Sequence, residues 1–111
     1  VLHDYKTSSG RNVILEYIYS LTQNEITDAY SVRELMENNE FDKLHWKQWE
    51  KKVYEVYFQK HNRIFYIIPD GKNIYLIHAC RKQKNKTEKR DAKIVRKRAK
   101  ELGDMLGKKF I

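Results

Sequence analysis

Three runs rich in β-branched and aromatic residues lie close together in the second half of the chain: VYEVYF (53–58), RIFYII (63–68) and NIYLIHA (73–79). This composition is typical of β-strands. The short segments QKHN and PDGK separate the runs, and Pro69 followed by Asp70-Gly71 favours a tight hairpin turn. Because connections this short can join only antiparallel strands, the sequence predicts an antiparallel meander.

The first third of the chain has helical periodicity on both sides of a capping signal. RNVILEYIYSL (11–21) places its apolar residues on one helical face (Val13, Ile14, Tyr17, Ile18, Leu21). Thr22 and Glu25 in TQNE form the pattern of a capping box that opens a second helix, and ENN at 37–39 ends it. We therefore predict an N-terminal helical hairpin, preceded by a short strand in LHDYK at 2–6.

The remaining segments complete the predicted fold. FDKLHWKQWEKK (41–52) has no clean period and is interpreted as a loop that anchors Trp46 and Trp49 on the core. The alternative is that these two tryptophans stack on nucleic-acid bases. Thr87 is expected to cap a final helix that ends at Gly103 or Gly107 and carries a narrow apolar stripe (Ala92, Val95, Ala99, Leu102, Leu106). The expected fold is one α+β domain over residues 1–111, with the helical hairpin packed on a small, mostly antiparallel sheet and a basic helix at the C-terminal end.

Several features indicate the class of protein. The 111 residues begin with Val1 instead of Met, so we expect a few native residues to precede it. No apolar stretch reaches the ~20 residues of a membrane span, and no segment has the pattern of a signal peptide. The single Cys80 excludes an intramolecular disulfide and is expected to be a small buried side chain in a reducing cytosol. These features predict a cytoplasmic protein with no membrane partner.

The net charge of +8 is concentrated in one segment. Residues 81–100 hold 11 Lys and Arg residues against two acids, whereas the other 91 residues hold 12 cations and 13 acids. A merely solvated helix face would carry balancing acids four residues away. The excess charge instead predicts contact with phosphate, an acidic membrane surface or an acidic protein.

The sequence lacks the motifs of most nucleic-acid enzymes that use metals or nucleotides. It has no glycine-rich phosphate loop, its four histidines do not have zinc-binding spacings, and acids do not cluster on the strands. No metal or cofactor is therefore expected. RNA can be cleaved without a metal when its own 2′-OH attacks the adjacent phosphorus. That reaction requires a base, cations for the phosphorane and an acid for the leaving 5′-oxygen.

The predicted register supplies candidates for these roles. If the QKHN hairpin has a three-residue loop, Glu55, Tyr57 and Gln59 share a face with Arg63. Arg63 would then be a cation on a rigid strand, suited to binding phosphate, although an ion pair with Glu55 is the simpler alternative. Glu55 could be the base or only the partner of Arg63. His78 could be a structural histidine or a proton-transfer group.

The other candidates are cations that could hold the nucleic acid. Arg81, Lys82 and Lys84 lie where the last strand ends, and as a group they are expected to be functional. Lys60 and His61 lie at a hairpin tip, where polar residues are common in any case. The basic run that begins with Lys86, Lys89 and Arg90 is expected to bind phosphates with little sequence preference, with about half of the run being ordinary solvated helix surface.

The segments KHNRIFYII, DGKNIYLIHACRKQKNKTEK and RKRAKEL resemble the HigB-like, phage-derived branch of the RelE/ParE toxin superfamily. The resemblance covers nearly the whole chain and is tightest from about Val53 to Leu102. It implies an endoribonuclease that needs no metal and cuts mRNA, usually on the ribosome. It also implies a cognate antitoxin, a HigA-like helix-turn-helix protein, in a heterotetramer or heterodimer.

The resemblance transfers roles to some positions only. Arg63 matches the superfamily arginine that contacts the scissile phosphate, and Lys82 and Lys84 match its C-terminal cationic pair less closely. Tyr57 and Val56 stand where RelE has lysines, and the C-terminal tyrosine of RelE has no counterpart. The acid and base therefore stay open. Lys82 and Lys84 are expected to hold or protonate the phosphate, and Tyr57, Glu55 or His78 could transfer protons. Two alternatives are a ParE-like inhibitor of DNA gyrase and a basic RNA-binding module without enzymatic activity.

Overall fold

The computed structural model describes residues 1–59, 61–82 and 86–111. Within these ranges the elements are β1 (Leu2–Asp4), α1 (Val13–Tyr19), α2 (Gln23–Glu37), β2 (His45–Glu50), β3 (Val53–Phe58), β4 (Asn62–Ile67), β5 (Ile74–Arg81) and α3 (Lys89–Leu106). The strands form one sheet in the order β1-β5-β4-β3-β2. β1 pairs with β5 in parallel and every other pair is antiparallel. This confirms the α+β class and the mostly antiparallel sheet.

The two faces of the sheet are covered by different helices. On one, the α1/α2 face, Val56, Ile64 and Leu76 pack with residues of α1 and α2. On the other, the α3 face, Val53, Phe65 and Ile77 pack with residues of α3. The sheet is therefore the middle layer of the domain. The hairpin arrangement of α1 and α2 stays a prediction.

The helix boundaries follow local capping chemistry. The capping box of Thr22 and Glu25 is present at the start of α2, as predicted. Gly107 ends α3 with a left-handed φ of 67°, which glycine adopts without steric cost. Among the described residues, no helix has both the length and the hydropathy that crossing a membrane would require.

The prediction that Thr87 caps the last helix is wrong. α3 begins at Lys89 after Glu88, whose side chain makes no capping hydrogen bond. The Thr87 hydroxyl instead accepts a hydrogen bond from the indole nitrogen of Trp49, at 3.0 Å. A part-buried indole N–H needs an acceptor, and this tertiary demand places Thr87 before the helix.

The segment predicted as a loop at 41–52 contains β2. After a short 3₁₀ turn at Phe41–Lys43, the backbone of β2 pairs with β3. The loop prediction failed because β2 is an edge strand with polar exposed residues, a common property of edge strands. Trp46 is 47% exposed and is not the predicted core anchor. Trp49, in contrast, packs against Phe65 with ring centroids 5.4 Å apart, as expected of an anchor.

The connection between β4 and β5 is longer than the predicted tight turn. It spans residues 68–73, and the Asp70 carboxylate accepts hydrogen bonds from the backbone N–H groups of Lys72 (2.7 Å) and Asn73 (2.9 Å). Side-chain hydrogen bonds of this kind stabilise a wider turn than the Asp-Gly pair alone suggests.

Candidate functional site

The register of β3 and β4 agrees with the three-residue connection assumed from the sequence. Tyr57 lies opposite Arg63 and Glu55 lies opposite Phe65, so these side chains share the α3 face. Gln59 departs from the prediction, because its φ is 45° and its amide donates to Asp28 of α2 at 2.5 Å. Lys60, a predicted nucleic-acid contact in the same connection, lies outside the described residues.

Four strands contribute to two parallel rows of side chains on the α3 face. One row, here called the Arg63 row, consists of His45, Tyr57, Arg63 and Cys80. The neighbouring Glu55 row consists of Lys47, Glu55, Phe65 and His78. His45 and Lys47 belong to β2 and were not among the candidates. Their signal in the sequence was the alternation of HWKQWE, which places His45 and Lys47 on one face of a strand and Trp46 and Gln48 on the other.

Three cations converge on one oxygen of Glu55, a group here called the Glu55 cluster. The carboxylate is fully buried. Its Oε1 accepts a hydrogen bond from Arg63 Nη1 and lies 3.9 Å from both Lys47 Nζ and Lys82 Nζ. Lys82 is only 5% exposed. Residues from β2, β3, β4 and the end of β5 therefore bring one negative and three positive charges together.

Two buried atoms of the Glu55 cluster have no hydrogen-bond partner among the described residues. They are Glu55 Oε2, an acceptor, and Arg63 Nε, a donor. A buried polar group without a partner costs about 1–3 kcal/mol, and such groups are rare in native proteins. A ligand that reached these atoms would have to offer a donor to Glu55 Oε2 and an acceptor to Arg63 Nε.

Local structure explains how Lys82 reaches the cluster. Its backbone N–H donates to the carbonyl of His61 at 2.6 Å, and its own carbonyl lies 3.2 Å from His61 Nδ1. Burial lowers the pKa of Lys82, the carboxylate of Glu55 opposes that shift, and the nearby Arg63 and Lys47 add to it. A lysine with a lowered pKa can give up a proton more readily than a surface lysine. His61, a predicted nucleic-acid contact, is thus tied to the backbone of Lys82.

An open cleft of about 350 Å³ leads from the surface to Glu55 and Lys82. Its lining has more cations than acids. The cations are Lys47, Lys82, Lys86 and Arg96, and the acids are Glu55 and Glu50, which is paired with Arg96. Lys89 and Arg90 are exposed at the start of α3. Lys84, a predicted catalytic cation, lies outside the described residues. The cleft is suited to an anionic ligand.

Arg81 is not part of this cleft. It lies opposite Asn62, on the α1/α2 face, and donates to Glu25 Oε2 at 2.7 Å. Asn62 donates to the same oxygen at 2.7 Å and accepts from the Tyr17 hydroxyl at 2.5 Å. Hydrogen bonds from Asn62 and Thr22 are the main causes that lower the pKa of Glu25 to about 2, and the charge of Arg81 adds to them. The predicted grouping of Arg81 with Lys82 therefore fails, because successive side chains on a strand point to opposite faces.

The structure places His78 in a structural contact between β5 and α3. Arg98 Nη1 lies 3.2 Å from His78 Nδ1, and His78 Nε2 lies 2.9 Å from Asp91 Oδ1. Because arginine can only donate, Nδ1 accepts and Nε2 carries the proton that is donated to Asp91. Burial lowers the pKa of His78 despite the nearby Asp91, which favours the neutral ring. Both nitrogens are occupied, so we assign His78 no proton-transfer role.

His78, Cys80 and Asp91 are close enough together to be considered as metal ligands, with ligand atoms within 4.8 Å of one another. A metal on His78 Nε2 would require the proton to move to Nδ1, where the Arg98 guanidinium already donates. Burial also raises the pKa of the Cys80 thiol to about 12, whereas a metal binds the thiolate. These described residues therefore do not fit a metal ion.

A larger cleft of about 620 Å³ lies between β1 and α3. Three of its polar side chains interact with one another: the Tyr5 hydroxyl donates to Glu101 at 2.9 Å, and the Arg98 guanidinium lies 4.3 Å from the centre of the Tyr5 ring. These groups are already engaged, so the smaller cationic cleft is the better candidate for chemistry.

Comparison with known proteins identifies the family of this chain. Residues 16–100, well over half of the chain, match the family model described as Phage derived protein Gp49-like (DUF891). No curated protein sequence matches the chain significantly. The chain therefore belongs to the Gp49-like family of phage-derived proteins, a toxin-like family related to the RelE and HigB toxins.

Proposed function

We propose that this chain is the toxin of a type II toxin–antitoxin pair and a metal-independent endoribonuclease that cleaves mRNA. The observation that carries the proposal is the Glu55 cluster, in which a buried acceptor and a buried donor lack partners among the described residues. Family membership adds independent support, because the family is toxin-like. We place the chain in the HigB-like branch.

RNA offers the two groups that the cluster lacks. Its 2′-OH is a donor for Glu55 Oε2, and the adjacent phosphate supplies acceptors for Arg63 Nε. Glu55 takes the proton of the 2′-OH, the 2′-oxygen attacks phosphorus, and the bond from phosphorus to the 5′-oxygen breaks. Lys82 protonates that leaving oxygen, so the products are a 2′,3′-cyclic phosphate and a 5′-OH. DNA lacks the 2′-OH and is not cleaved.

Arg63 stabilises the phosphorane in this scheme. Its guanidinium carbon lies 4.9 Å from the centre of the Tyr57 ring, so Tyr57 positions the arginine and does not transfer protons. Phosphate must compete with Glu55 for the guanidinium, and Lys47, which is half-exposed, has room to move aside as substrate enters. Lys86, Lys89 and Arg90 bind neighbouring phosphates.

The proposal includes partners. Toxin-like proteins of this kind are paired with an antitoxin, and we expect a HigA-like helix-turn-helix protein in a heterodimer or heterotetramer. We expect the mRNA to be cut on the ribosome, because translating ribosomes hold single-stranded codons in a fixed position.

Controlled expression in bacteria, with transcript 5′ ends mapped after induction, tests the proposal. Wild type should stop growth and create new 5′ ends inside coding regions. Arg63→Ala should lower cleavage by about 10²–10³-fold, the usual effect of removing a donor to a developing oxyanion. Arg63→Gln keeps an N–H for Glu55 and guards against misfolding; it should be similarly inactive. Arg11→Ala, which removes only an exposed ion pair with Glu16, is the control.

Other outcomes would redirect the proposal. Unchanged cleavage in both Arg63 variants would remove Arg63 from the mechanism. Growth arrest with intact transcripts and a DNA-damage response would identify a ParE-like gyrase inhibitor. Salt-dependent RNA binding without growth arrest would leave a basic binding module.

A further inference from the structure

Three planar groups lie side by side at the start of the Arg63 row. The His45 ring stacks on the Tyr57 ring, with centroids 5.6 Å apart and planes 22° apart. The Arg63 guanidinium carbon lies 4.9 Å from the centre of the Tyr57 ring. The direct pairing of His45 with Tyr57 and of Tyr57 with Arg63 across β2, β3 and β4 sets this order.

The His45 ring lies at one end of the Arg63 row, on the edge strand. β2 is an edge strand of the sheet, so none of the described strands follows His45 on its outer side. The His45 side chain is exposed. Of these three groups, Arg63 carries the guanidinium assigned to the scissile phosphate, and His45 presents an aromatic ring at the edge of the described sheet.

A single strand of RNA has the matching layout, with a phosphate and a flat base in each nucleotide. Bases stack on aromatic side chains with a free energy of about 1–3 kcal/mol each and with little dependence on sequence. We propose that the exposed ring of His45 stacks on a nucleobase that flanks the scissile phosphate. This inference rests on the proposed function and adds β2 to the substrate-binding surface.

Trp46 is the obvious competitor, since it is a larger aromatic residue and is 47% exposed. It lies on the opposite face of the sheet, paired with Val56 and in edge contact with Tyr54 at 5.9 Å. A base on Trp46 would be separated from Arg63 by the sheet itself. Trp46→Ala is therefore a matched control. It removes an exposed aromatic side chain from the same strand, but from the face opposite to His45 and Arg63.

The test uses a short RNA with a 2′-deoxy residue at the cleavage position, which prevents cleavage, and 2-aminopurine beside it. Stacking quenches 2-aminopurine fluorescence. Wild type should bind and quench. His45→Ala should bind about 5- to 150-fold more weakly, as expected for the loss of one stacked base, and should lose the quenching. His45→Phe should restore both, and Trp46→Ala should behave as wild type.

The outcomes separate this inference from the proposed function. Equal binding by wild type and His45→Ala, or equal losses in His45→Ala and Trp46→Ala, would overturn the stacking role. The 5′-end mapping is repeated with the same variants. If wild type cleaves transcripts and His45→Ala cleaves the same sites equally well, the stacking inference alone fails. If wild type cleaves none, the proposed function fails and the inference with it.

Discussion

Glu25 and Glu55 are buried carboxylates on opposite faces of the same sheet. Glu25 Oε1 accepts from the Thr22 hydroxyl at 2.8 Å, and its Oε2 accepts from Asn62 and Arg81. Glu55 has three cations around Oε1, while its Oε2 has no partner among the described residues. A fully paired buried network stabilises one conformation, whereas a partly paired one is costly unless a ligand completes it. The first arrangement is structural and the second is suited to function.

The α1/α2 face and the α3 face of the sheet also differ in how completely they are covered. On the α1/α2 face, side chains from two helices and four strands form one continuous apolar core. On the α3 face a single helix covers Phe65 and Ile77, and a cleft remains open above Glu55 and Lys82. The α3 face is therefore the one on which the described residues leave room for a ligand beside a buried carboxylate.

The largest expected loss of activity follows substitution of Lys82, which lies on the α3 face. Lys82→Met should lower mRNA cleavage in a reconstituted translation mixture by about 10²–10⁴-fold, the usual contribution of a general acid. Lys82→Arg keeps the charge but holds its proton too tightly to donate it, so it should be nearly as inactive. Substantial activity in Lys82→Arg would show that Lys82 supplies charge only.

The two carboxylates should respond differently to the same substitution. Glu55→Gln should remove cleavage activity, while Glu25→Gln should keep activity and lower the free energy of unfolding. The pKa of Glu25 is lowered to about 2 in the folded protein, so its stabilising effect is present above the ordinary value of 4.5 and is lost as pH falls through about 2. In urea unfolding, the gap between wild type and Glu25→Gln should therefore narrow below pH 4.5.

A difference in the free energy of unfolding between wild type and Glu25→Gln that stays constant with pH would show that the hydrogen bonds do not stabilise the charged Glu25 carboxylate. Full activity in Glu55→Gln would contradict the assignment of Glu55 as the base, because glutamine cannot accept the 2′-OH proton. These two results can be obtained from the same pair of purified variants.

The smallest expected effects are changes in stability when either of the two tryptophans of β2 is replaced. Trp49 packs on Phe65 at the α3 face, so Trp49→Ala should destabilise the fold by about 2 kcal/mol, less than the 3–5 kcal/mol of a fully buried ring. Trp46 is exposed, and Trp46→Ala should change stability by about 0.5 kcal/mol or less. Equal losses in thermal unfolding would mean that Trp46 is also a core residue.

Much of the candidate site was predictable because the register of β3 and β4 depends on the number of residues in the connection between them. The three-residue connection after β3 places Glu55, Tyr57 and Arg63 on one face, as expected from the side-chain alternation of strands. The contribution of β2 was missed because an edge strand with polar residues lacks the hydrophobic pattern of a buried strand. His78 stayed ambiguous in the sequence because its partners, Asp91 and Arg98, come from another element.

Four features follow from the amino-acid sequence alone: the strands of the meander, the capping box of α2, an end of α3 at Gly103 or Gly107, and the concentration of charge after β5. Each depends on residues that are neighbours along the chain, so local propensity and spacing are sufficient. The tertiary fold sets which cations meet at Glu55, that Arg81 turns to Glu25 instead, and that β2 brings Lys47 to the cleft and His45 to the Arg63 row. These contacts join residues far apart in sequence, and their partners are set by strand order and by burial.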